Sequence, residues 1–231
     1  MIKNSEKKSI IFLIPSLVGG GAERTLLNIL NKLDYKTYSV TLVVVCFTGV
    51  YINQIPKSVK IIPLFKSIYL TRILSILQKK INFTLFFKLK VKRLCSNNYD
   101  TAISFLDSNF TDLLFFIPKV DKRVTWVHSS YKSNNNFYKF YKNESYRNKL
   151  IKNRYSKLDE IVFVSEDSKN EFISLFGSFK RMSVIYNLLD ELSIHEKAAA
   201  FKLSKNEKII TFIAVGSLYP VKGYEILIEA A

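Results

Sequence analysis

The run IIFLIPSLVGGGAER, residues 10–24, is the strongest indication of the fold class. Five apolar residues at 10–14 predict a strand covered on both faces, and three glycines then precede an amphipathic helix at 22–33. Glycine lets the backbone approach a ligand closely, and the N–H groups of such a turn attract phosphate or a sugar hydroxyl. Gly19, Gly20 and Gly21 therefore form a candidate ligand loop, with a plain tight turn as the alternative.

The same alternation of buried strand and helix continues along the chain. Further strands are predicted at 40–47, 59–64, 101–105, 123–127, 160–164, 182–185 and 209–215, and helices at 68–95, 111–116, 136–157 and 167–176. Most strand runs are continuously apolar, which is typical of parallel strands. We therefore expect an α/β fold with a doubly wound, mostly parallel, Rossmann-like sheet that binds ligands at the carboxyl ends of its strands.

A change of pattern after residue 186 divides the chain. We expect an N-terminal Rossmann-like domain at 1–186, an interdomain linker at 187–207 and, at 208–231, the first βα unit of a second Rossmann-like domain. One strand and half a helix cannot bury their own apolar faces. We therefore expect this second domain to be truncated in the sequence as given.

The charge of the chain is strongly one-sided. The 231 residues carry a net charge of +16, and no Asp or Glu lies between Asp34 and Asp100. The basic segment, residues 66–93, attracts phosphate on nucleic acid, on anionic lipid or on a pyrophosphate-linked substrate. A lysine-rich solvated surface is the alternative. Because no zinc finger or RNA-binding signature accompanies the charge, nucleic acid is not the expected partner.

The apolar residues limit the cellular locations that the sequence allows. Those within the basic segment recur at helical spacing, which suits either an anionic membrane surface or core packing. No apolar run reaches the roughly 20 residues that a helix needs to cross a bilayer. Cys46 and Cys95 lie in apolar stretches and are expected to be buried free thiols in a reducing cytoplasm.

A second candidate site lies in the run VTWVHSS, residues 124–130. Trp126, the only tryptophan, and His128 stand there at the end of a predicted strand. A neutral imidazole can hydrogen-bond a sugar hydroxyl, and an indole face can stack on a sugar. A packed Trp beside a satisfied His would give the same pattern. The other histidine, His195, is expected to be a solvated bystander in the linker.

The third candidate site is AVGSLYPVKG, residues 214–223. Here Lys222 and Gly223 open a predicted helix. A lysine at that point adds a full charge to the partial positive charge of the helix N-terminus, which suits a nucleotide pyrophosphate.

Taken in order, these motifs resemble the retaining glycosyltransferases of family 4, which have the GT-B architecture of two Rossmann-like lobes. The opening segment, the 124–130 run, VFVSE at 162–166, VIYNLLD at 184–190 and the 214–223 segment carry the resemblance, which spans essentially the whole chain. It implies a GT-B N-terminal, acceptor-side domain followed by the beginning of a donor-binding domain.

The resemblance also implies the roles of single residues. His128 would be catalytic, and the residues that bind donor or acceptor would be Gly19, Gly20, Gly21, Glu23, Asn187, Ser217, Lys222 and Gly223. Ser217 stands where the family usually has arginine, which removes one charge from the diphosphate clamp. The family's Glu-x7-Glu motif would lie beyond Ala231, so we expect the chain to be inactive by itself. No cofactor and no metal are expected, because the nucleotide-sugar is a substrate and no Asp-x-Asp or Cys/His cluster occurs.

The implied function is the transfer of a hexosyl or related sugar from a nucleotide-sugar to a lipid-linked or polysaccharide acceptor. Bacterial surface glycans such as capsule, O-antigen, lipopolysaccharide or exopolysaccharide are the implied products. The expected location is the cytoplasm, with peripheral contact to the inner face of the plasma membrane. The alternative is a non-catalytic acceptor-binding lobe that works with a separate donor-lobe chain, or a decayed remnant.

Overall fold

Seven parallel strands form one sheet in a computed structural model, which describes residues 7–67, 69, 85–132, 141–200, 210–216, 218 and 222–230. The strand order is β3-β2-β1-β4-β5-β6-β7. The strands are β1 (Lys8–Ile14), β2 (Tyr38–Cys46), β3 (Lys60–Phe65), β4 (Tyr99–Ser104), β5 (Val120–Val127), β6 (Glu160–Phe163) and β7 (Met182–Val184). The predicted doubly wound α/β fold is confirmed.

Helices connect the strands. They are α1 (Gly21–Lys32), α2 (Leu85–Leu94), α3 (Glu144–Asn153), α4 (Glu166–Phe176), α5 (Glu191–Ala199) and α6 (Tyr224–Ala230), with short 3₁₀ helices at Ile52–Gln54, Thr111–Phe116 and Tyr155–Lys157. Among the described residues, no helix is both long enough and apolar enough to cross a membrane.

The helices cover both faces of the sheet. Because successive strand residues point to opposite faces, Leu13 of β1 packs in one core with Phe87 of α2, whereas Phe12 packs in another with Leu26 of α1. All four side chains are at most 3% exposed. Fully burying an apolar side chain of this size stabilises the fold by about 1.5–3 kcal/mol.

The direction of winding reverses between β1 and β4, which are neighbours in the sheet. The backbone N–H of Phe105 donates to the carbonyl oxygen of Leu13 at 2.9 Å, so the pairing continues to the carboxyl ends of both strands. In open sheets of this kind, ligands bind in the crevice at such a switch point. The glycine loop after β1 and residues 105–107 after β4 border this crevice.

Two predicted helices differ from the observed ones. The helix predicted at 136–157 is divided, because Arg154 leaves helical geometry at φ −123° and ψ −73° and a separate 3₁₀ helix follows. Of this prediction, residues 136–140 lie outside the described residues. Of the helix predicted at 68–95, residues 85–94 are helical, whereas residues 70–84 lie outside the described part.

The prediction of a strand at 209–215 is wrong for the residues that the structure describes. Residues 210–215 have no regular secondary structure, and Ile213 is 88% exposed. A strand is held by hydrogen bonds to a neighbouring strand, and the seven-stranded sheet does not include this segment. Apolar composition by itself therefore does not make residues 210–215 a strand.

Both cysteines have the predicted state. Cys46 and Cys95 are buried and free. Burial raises the pKa of the Cys95 thiol to about 12, although the charge of Lys60 opposes this effect. The thiol is therefore protonated and unreactive at neutral pH.

Candidate functional site

The glycine loop leads directly into α1. Gly19 has φ +123°, a conformation that side-chain-bearing residues rarely adopt, and Gly20 is the extended residue that precedes the helix. Gly19, Gly20 and Gly21 are all exposed, as a ligand loop requires. Glu23 is buried and folds back toward the loop, where its carboxylate occupies the space that a Cβ at Gly20 would need.

Backbone contacts fix the shape of this loop. Leu17 donates its N–H to the carbonyl of Thr48 at 3.0 Å and accepts from the N–H of Tyr51 at 3.2 Å. At Gly49, where φ is +132°, an added Cβ would collide with the carbonyl oxygen of Leu17. The loops after β1 and β2 are thus in direct backbone contact, and this contact holds the glycine loop.

His128 follows β5 at the same edge of the sheet. Its ring is 4.7 Å from the ring of Phe105 and is stacked 5.9 Å from Trp126, measured between ring centroids. Nε2 of His128 and Nε1 of Trp126 are buried and have no hydrogen-bond partner among the described residues. Unsatisfied buried donors and acceptors are rare in folded proteins, so this pair marks a candidate ligand site.

Burial also sets the charge of the histidine. It lowers the pKa of His128 to about 4, although a hydrogen bond with the backbone of Phe105 opposes this effect. The imidazole is therefore neutral at pH 7. Because Nε2 has no partner, the bond to Phe105 places the proton on Nδ1 and leaves Nε2 as an acceptor.

The glycine loop and His128 lie on the same surface. β4 lies between β1 and β5, so the strands that carry the two loops are roughly 10 Å apart, which is two strand spacings. Leu17 of the first loop shares a buried core with Phe105 and Trp126. The structure thus brings together the first two sequence-predicted sites, at a separation that a sugar ring with its phosphates can bridge.

Asn187 lies in the exposed segment after β7. The neighbouring carbonyl of Leu188 accepts a hydrogen bond of 2.9 Å from the side chain of Asn28, a largely buried residue of α1. The segment that contains Asn187 is therefore attached to the helix that begins at the glycine loop.

The third predicted motif leads into α6. Lys222 is exposed, Gly223 has φ +68°, and α6 follows at Tyr224. Ser217 lies outside the described residues. Within the described ranges, no hydrogen bond or ion pair joins Lys222 to the glycine loop or to His128.

A buried polar network lies beneath the His128 loop, and sequence reasoning missed it. The Asp107 carboxylate accepts from the hydroxyl of Tyr131 at 2.6 Å and from that of Tyr155 at 2.8 Å. Arg154 pairs with Asp107 at 3.4 Å and with Asp112 at 2.7 Å. Burial and the charge of Asp107 raise the pKa of both tyrosines well above the usual range, so both remain hydrogen-bond donors.

Sequence reasoning also missed a polar pocket beside His128. It has a volume of about 270 Å³ and lies between the carboxyl ends of β5 and β6 and the start of α4. Asp167 and Glu171 line it from α4, together with serines on both loops. The spacing of four residues places both side chains on one face of α4, but it does not indicate that this face borders a pocket.

Among the described residues, no group of three or more His, Cys, Asp or Glu side chains has an arrangement that would hold a metal ion. The expectations about metal and cofactor stay predictions.

The fold defines the class of protein, a doubly wound α/β domain, and domains of this class bind ligands at the carboxyl ends of their parallel strands. The model of the family described as Glycosyltransferase Family 4 matches residues 19–191, about three quarters of the chain. The chain therefore belongs to family 4 of the glycosyltransferases. The match begins at the glycine loop and contains His128 and Asn187. A search of curated proteins finds no match to this chain.

Proposed function

We propose that this glycosyltransferase chain moves a hexosyl or related sugar from a nucleotide-sugar to a lipid-linked or polysaccharide acceptor, with retention of configuration, during synthesis of a bacterial surface glycan. The bond between the anomeric carbon and the phosphate oxygen of the donor breaks, and the acceptor hydroxyl oxygen forms the new bond. The hydroxyl proton passes to the departing phosphate, and nucleoside diphosphate is released.

The observation that carries this proposal is the state of His128. A buried imidazole acceptor that is neutral at pH 7 and has no described partner suits a sugar hydroxyl better than a phosphate, which needs donors or positive charge. The glycine loop, on a strand about 10 Å away, is exposed and has backbone N–H groups that suit the phosphates. Lys222, Gly223 and Ser217 are proposed to complete the diphosphate site from the second lobe.

The direct test is nucleotide release by the 231-residue chain joined to a donor-binding lobe, because the chain by itself is expected to be inactive. The chain is incubated with separate uridine, guanosine and thymidine diphosphate sugars and with bacterial membranes as the acceptor source. We expect release with at least one donor, dependent on the membranes. His128→Ala should lower kcat/KM about 100-fold, in the range seen when a hydrogen-bonding group of a transition-state site is removed. His195→Ala, which changes an exposed histidine of α5, is the matched control.

One observation favours the second candidate, an acceptor-binding lobe that works with a separate donor-lobe chain. The side chains of Ile210, Phe212, Ile213 and Val215 are 66–93% exposed, which is unusual for a contiguous apolar segment. Release that requires addition of a separately produced C-terminal lobe would support this candidate, and release by the chain alone would contradict it.

Membrane contact is a further part of the proposal. The outer side of α2 exposes Lys88, Lys92 and Arg93 together with Leu89, which is 58% exposed, while Phe87 faces the core. A basic surface with exposed leucine suits an anionic bilayer. The pair Lys88→Glu and Lys92→Glu should abolish flotation with vesicles that contain anionic lipid. The same reversal at Lys149 and Lys152, exposed on α3, should leave it unchanged.

A further inference from the structure

The His128 loop, residues 128–132, is attached on both sides of His128 to one residue of the neighbouring loop. Just before His128, the carbonyl oxygen of Trp126 accepts from the backbone N–H of Asp107 at 3.0 Å. Just after it, the hydroxyl of Tyr131 donates to the carboxylate of the same Asp107 at 2.6 Å. The two ends of the segment that carries His128 therefore cannot move apart without the loss of a hydrogen bond.

Glu171 of α4 holds the same loop at a second point. Its Oε2 atom accepts from the hydroxyl of Ser130 at 2.6 Å and from the backbone N–H of Tyr131 at 2.9 Å. Tyr131 is thus held through its backbone by Glu171 and through its side chain by Asp107. These contacts leave the loop little freedom on the side that follows His128.

The imidazole of His128 contacts the chain segment that carries Asp107. The ring of His128 lies 4.7 Å from the ring of Phe105, measured between centroids, and the imidazole forms a hydrogen bond with the backbone of Phe105. Phe105 and Asp107 are two residues apart in the loop after β4. The position of the imidazole therefore depends on how the His128 loop is held against residues 105–107.

Packing alone does not account for the hydroxyl of Tyr131. The ring is 7% exposed and packs edge-on against Tyr141 and Phe176, as a phenylalanine ring would also do. A buried hydroxyl costs free energy unless it is hydrogen-bonded. Asp107, which also pairs with Arg154 at 3.4 Å, supplies the acceptor. The bond to Asp107 is therefore what distinguishes tyrosine from phenylalanine at position 131.

Tyr155 makes an equivalent bond at a different place in the chain. Its hydroxyl donates to the same Oδ2 atom of Asp107 at 2.8 Å, and Tyr155 is 1% exposed. It begins the 3₁₀ helix Tyr155–Lys157, which lies outside the His128 loop. The two tyrosines thus share an acceptor and differ in the part of the chain that each one holds.

We propose that Tyr131 is a positioning residue of the glycosyl-transfer site, because its bond to Asp107, together with the contacts of Glu171, holds the imidazole of His128 in place. The proposal rests on the function proposed for His128 above and names the residues on which that function depends. Tyr131 acts through His128 and not by contact with the substrate.

The first test observes the imidazole itself. The sequence contains two histidines, so NMR of the chain labelled at the histidine nitrogens gives two sets of imidazole signals, and His195 serves as an internal reference. Tyr131→Phe should shift or broaden the His128 signals, because the loop gains freedom, and should leave those of His195 unchanged. Tyr155→Phe is the matched control, because it removes a hydroxyl from the same carboxylate oxygen and should leave both sets unchanged.

The second test measures activity in the chain joined to a donor-binding lobe. Tyr131→Phe should lower kcat/KM by up to about 100-fold, the effect of a small displacement of a group at the reacting centre. In the His128→Ala background the same substitution should cause no further loss, because a positioning residue acts only through the group that it positions. Tyr155→Phe should lower stability to urea about as much as Tyr131→Phe but should retain activity.

A second variant protects the test against a folding defect in Tyr131→Phe. Glu171 is only half-buried on α4, so Glu171→Ala leaves the core intact while it removes the acceptor of two donors of the loop. It should disturb the His128 signals as Tyr131→Phe does. Glu166→Ala is its control, because Glu166 is exposed on the same helix and pairs with Lys169.

Three results overturn the proposal. They are His128 signals that stay unchanged in both Tyr131→Phe and Glu171→Ala, an equal disturbance by Tyr155→Phe, and a further loss of activity from Tyr131→Phe in the His128→Ala background. If the native enzyme turns over a donor and Tyr131→Phe is as active, the positioning role fails and the proposed function stands. If the His128 signals respond as expected but the native enzyme turns over no donor, the function fails and the positioning of the imidazole stands.

Discussion

Two loops at the carboxyl edge of the sheet are built in opposite ways. The glycine loop after β1 is shaped by backbone contacts, through Leu17 to Thr48 and Tyr51, and by a close approach at Gly49. The loop of residues 128–132 after β5 is held by side chains, with Tyr131 on Asp107 and the backbone of residue 131 on Glu171.

This difference determines which kind of substitution destabilises each loop. A loop shaped by backbone contact is damaged by an added atom, because no side chain can move aside to make room. A loop held by buried charge is damaged by a removed atom, because the remaining partners keep their desolvation cost without their hydrogen bonds. The following predictions test this contrast.

Asp107→Ala should have the largest effect. It leaves Arg154, which is 5% exposed, with only Asp112 as a counterion, and it leaves the Tyr131 and Tyr155 hydroxyls without their acceptor. Breaking a buried pair in this way costs about 3–5 kcal/mol of unfolding free energy. Urea denaturation measures the loss. Asp121→Ala, at an exposed position, should change stability by less than about 0.5 kcal/mol.

Gly49→Ala should have the next largest effect. The added Cβ meets the Leu17 carbonyl, and φ +132° is unfavourable for alanine, so we expect a loss of about 3 kcal/mol. The same denaturation experiment applies, with Val50→Ala as the control because Val50 is 69% exposed. A loss no greater than that of the control would show that the two loops separate without cost.

His128 should make stability depend on pH. Its folded pKa of about 4 lies below the roughly 6.5 of an unfolded histidine, so the unfolded chain binds the proton first as the pH falls. The stability contribution is fully present above about pH 6.5 and is lost toward pH 4, by on the order of 3 kcal/mol. His128→Gln should remove this part of the pH dependence, whereas His195→Gln should not. Equal profiles for the native chain and His128→Gln would contradict the burial of the imidazole.

Gly21→Ala should have the smallest effect on stability, and it should stabilise the protein rather than destabilise it. Gly21 is the first residue of α1, and a Cβ there meets nothing within 4 Å. Alanine reduces the freedom of the unfolded chain, so we expect stabilisation by about 0.4–1 kcal/mol. The thermal midpoint measures the gain. Gly20→Ala should not reproduce it, because the Glu23 side chain must first move away. A destabilised Gly21→Ala would show that the three glycines are equally constrained.

Most of the sheet was predictable because its signal is local. Seven of the eight predicted strands are observed, and each lies within a few residues of its predicted bounds because a strand covered on both faces needs an unbroken apolar run. The strand predicted at 209–215 shows the limit of this signal. Its composition is also apolar, yet residues 210–215 pair with no strand of the sheet.

Only those parts of the candidate site that lie within one short segment could be predicted from the sequence. Three consecutive glycines after a strand, and a histidine two residues after the only tryptophan, can be read directly from the sequence. Glu171 could not be recognised in this way. Its partners, Ser130 and Tyr131, precede it by about 40 residues and meet it only because β5 and β6 are neighbours.

Sequence alone was sufficient to predict the succession of strands and helices, the positions of the glycine loop and of His128, and the family to which the chain belongs. Apolar periodicity and glycine conformation act over a few residues, so they can be recognised within a short segment of sequence. Three features arise only in the folded chain. Asp107 contacts Tyr131, Arg154 and Tyr155, His128 is neutral, and a polar pocket forms beside His128. Burial and desolvation depend on residues brought together from different strands, and no local pattern specifies them.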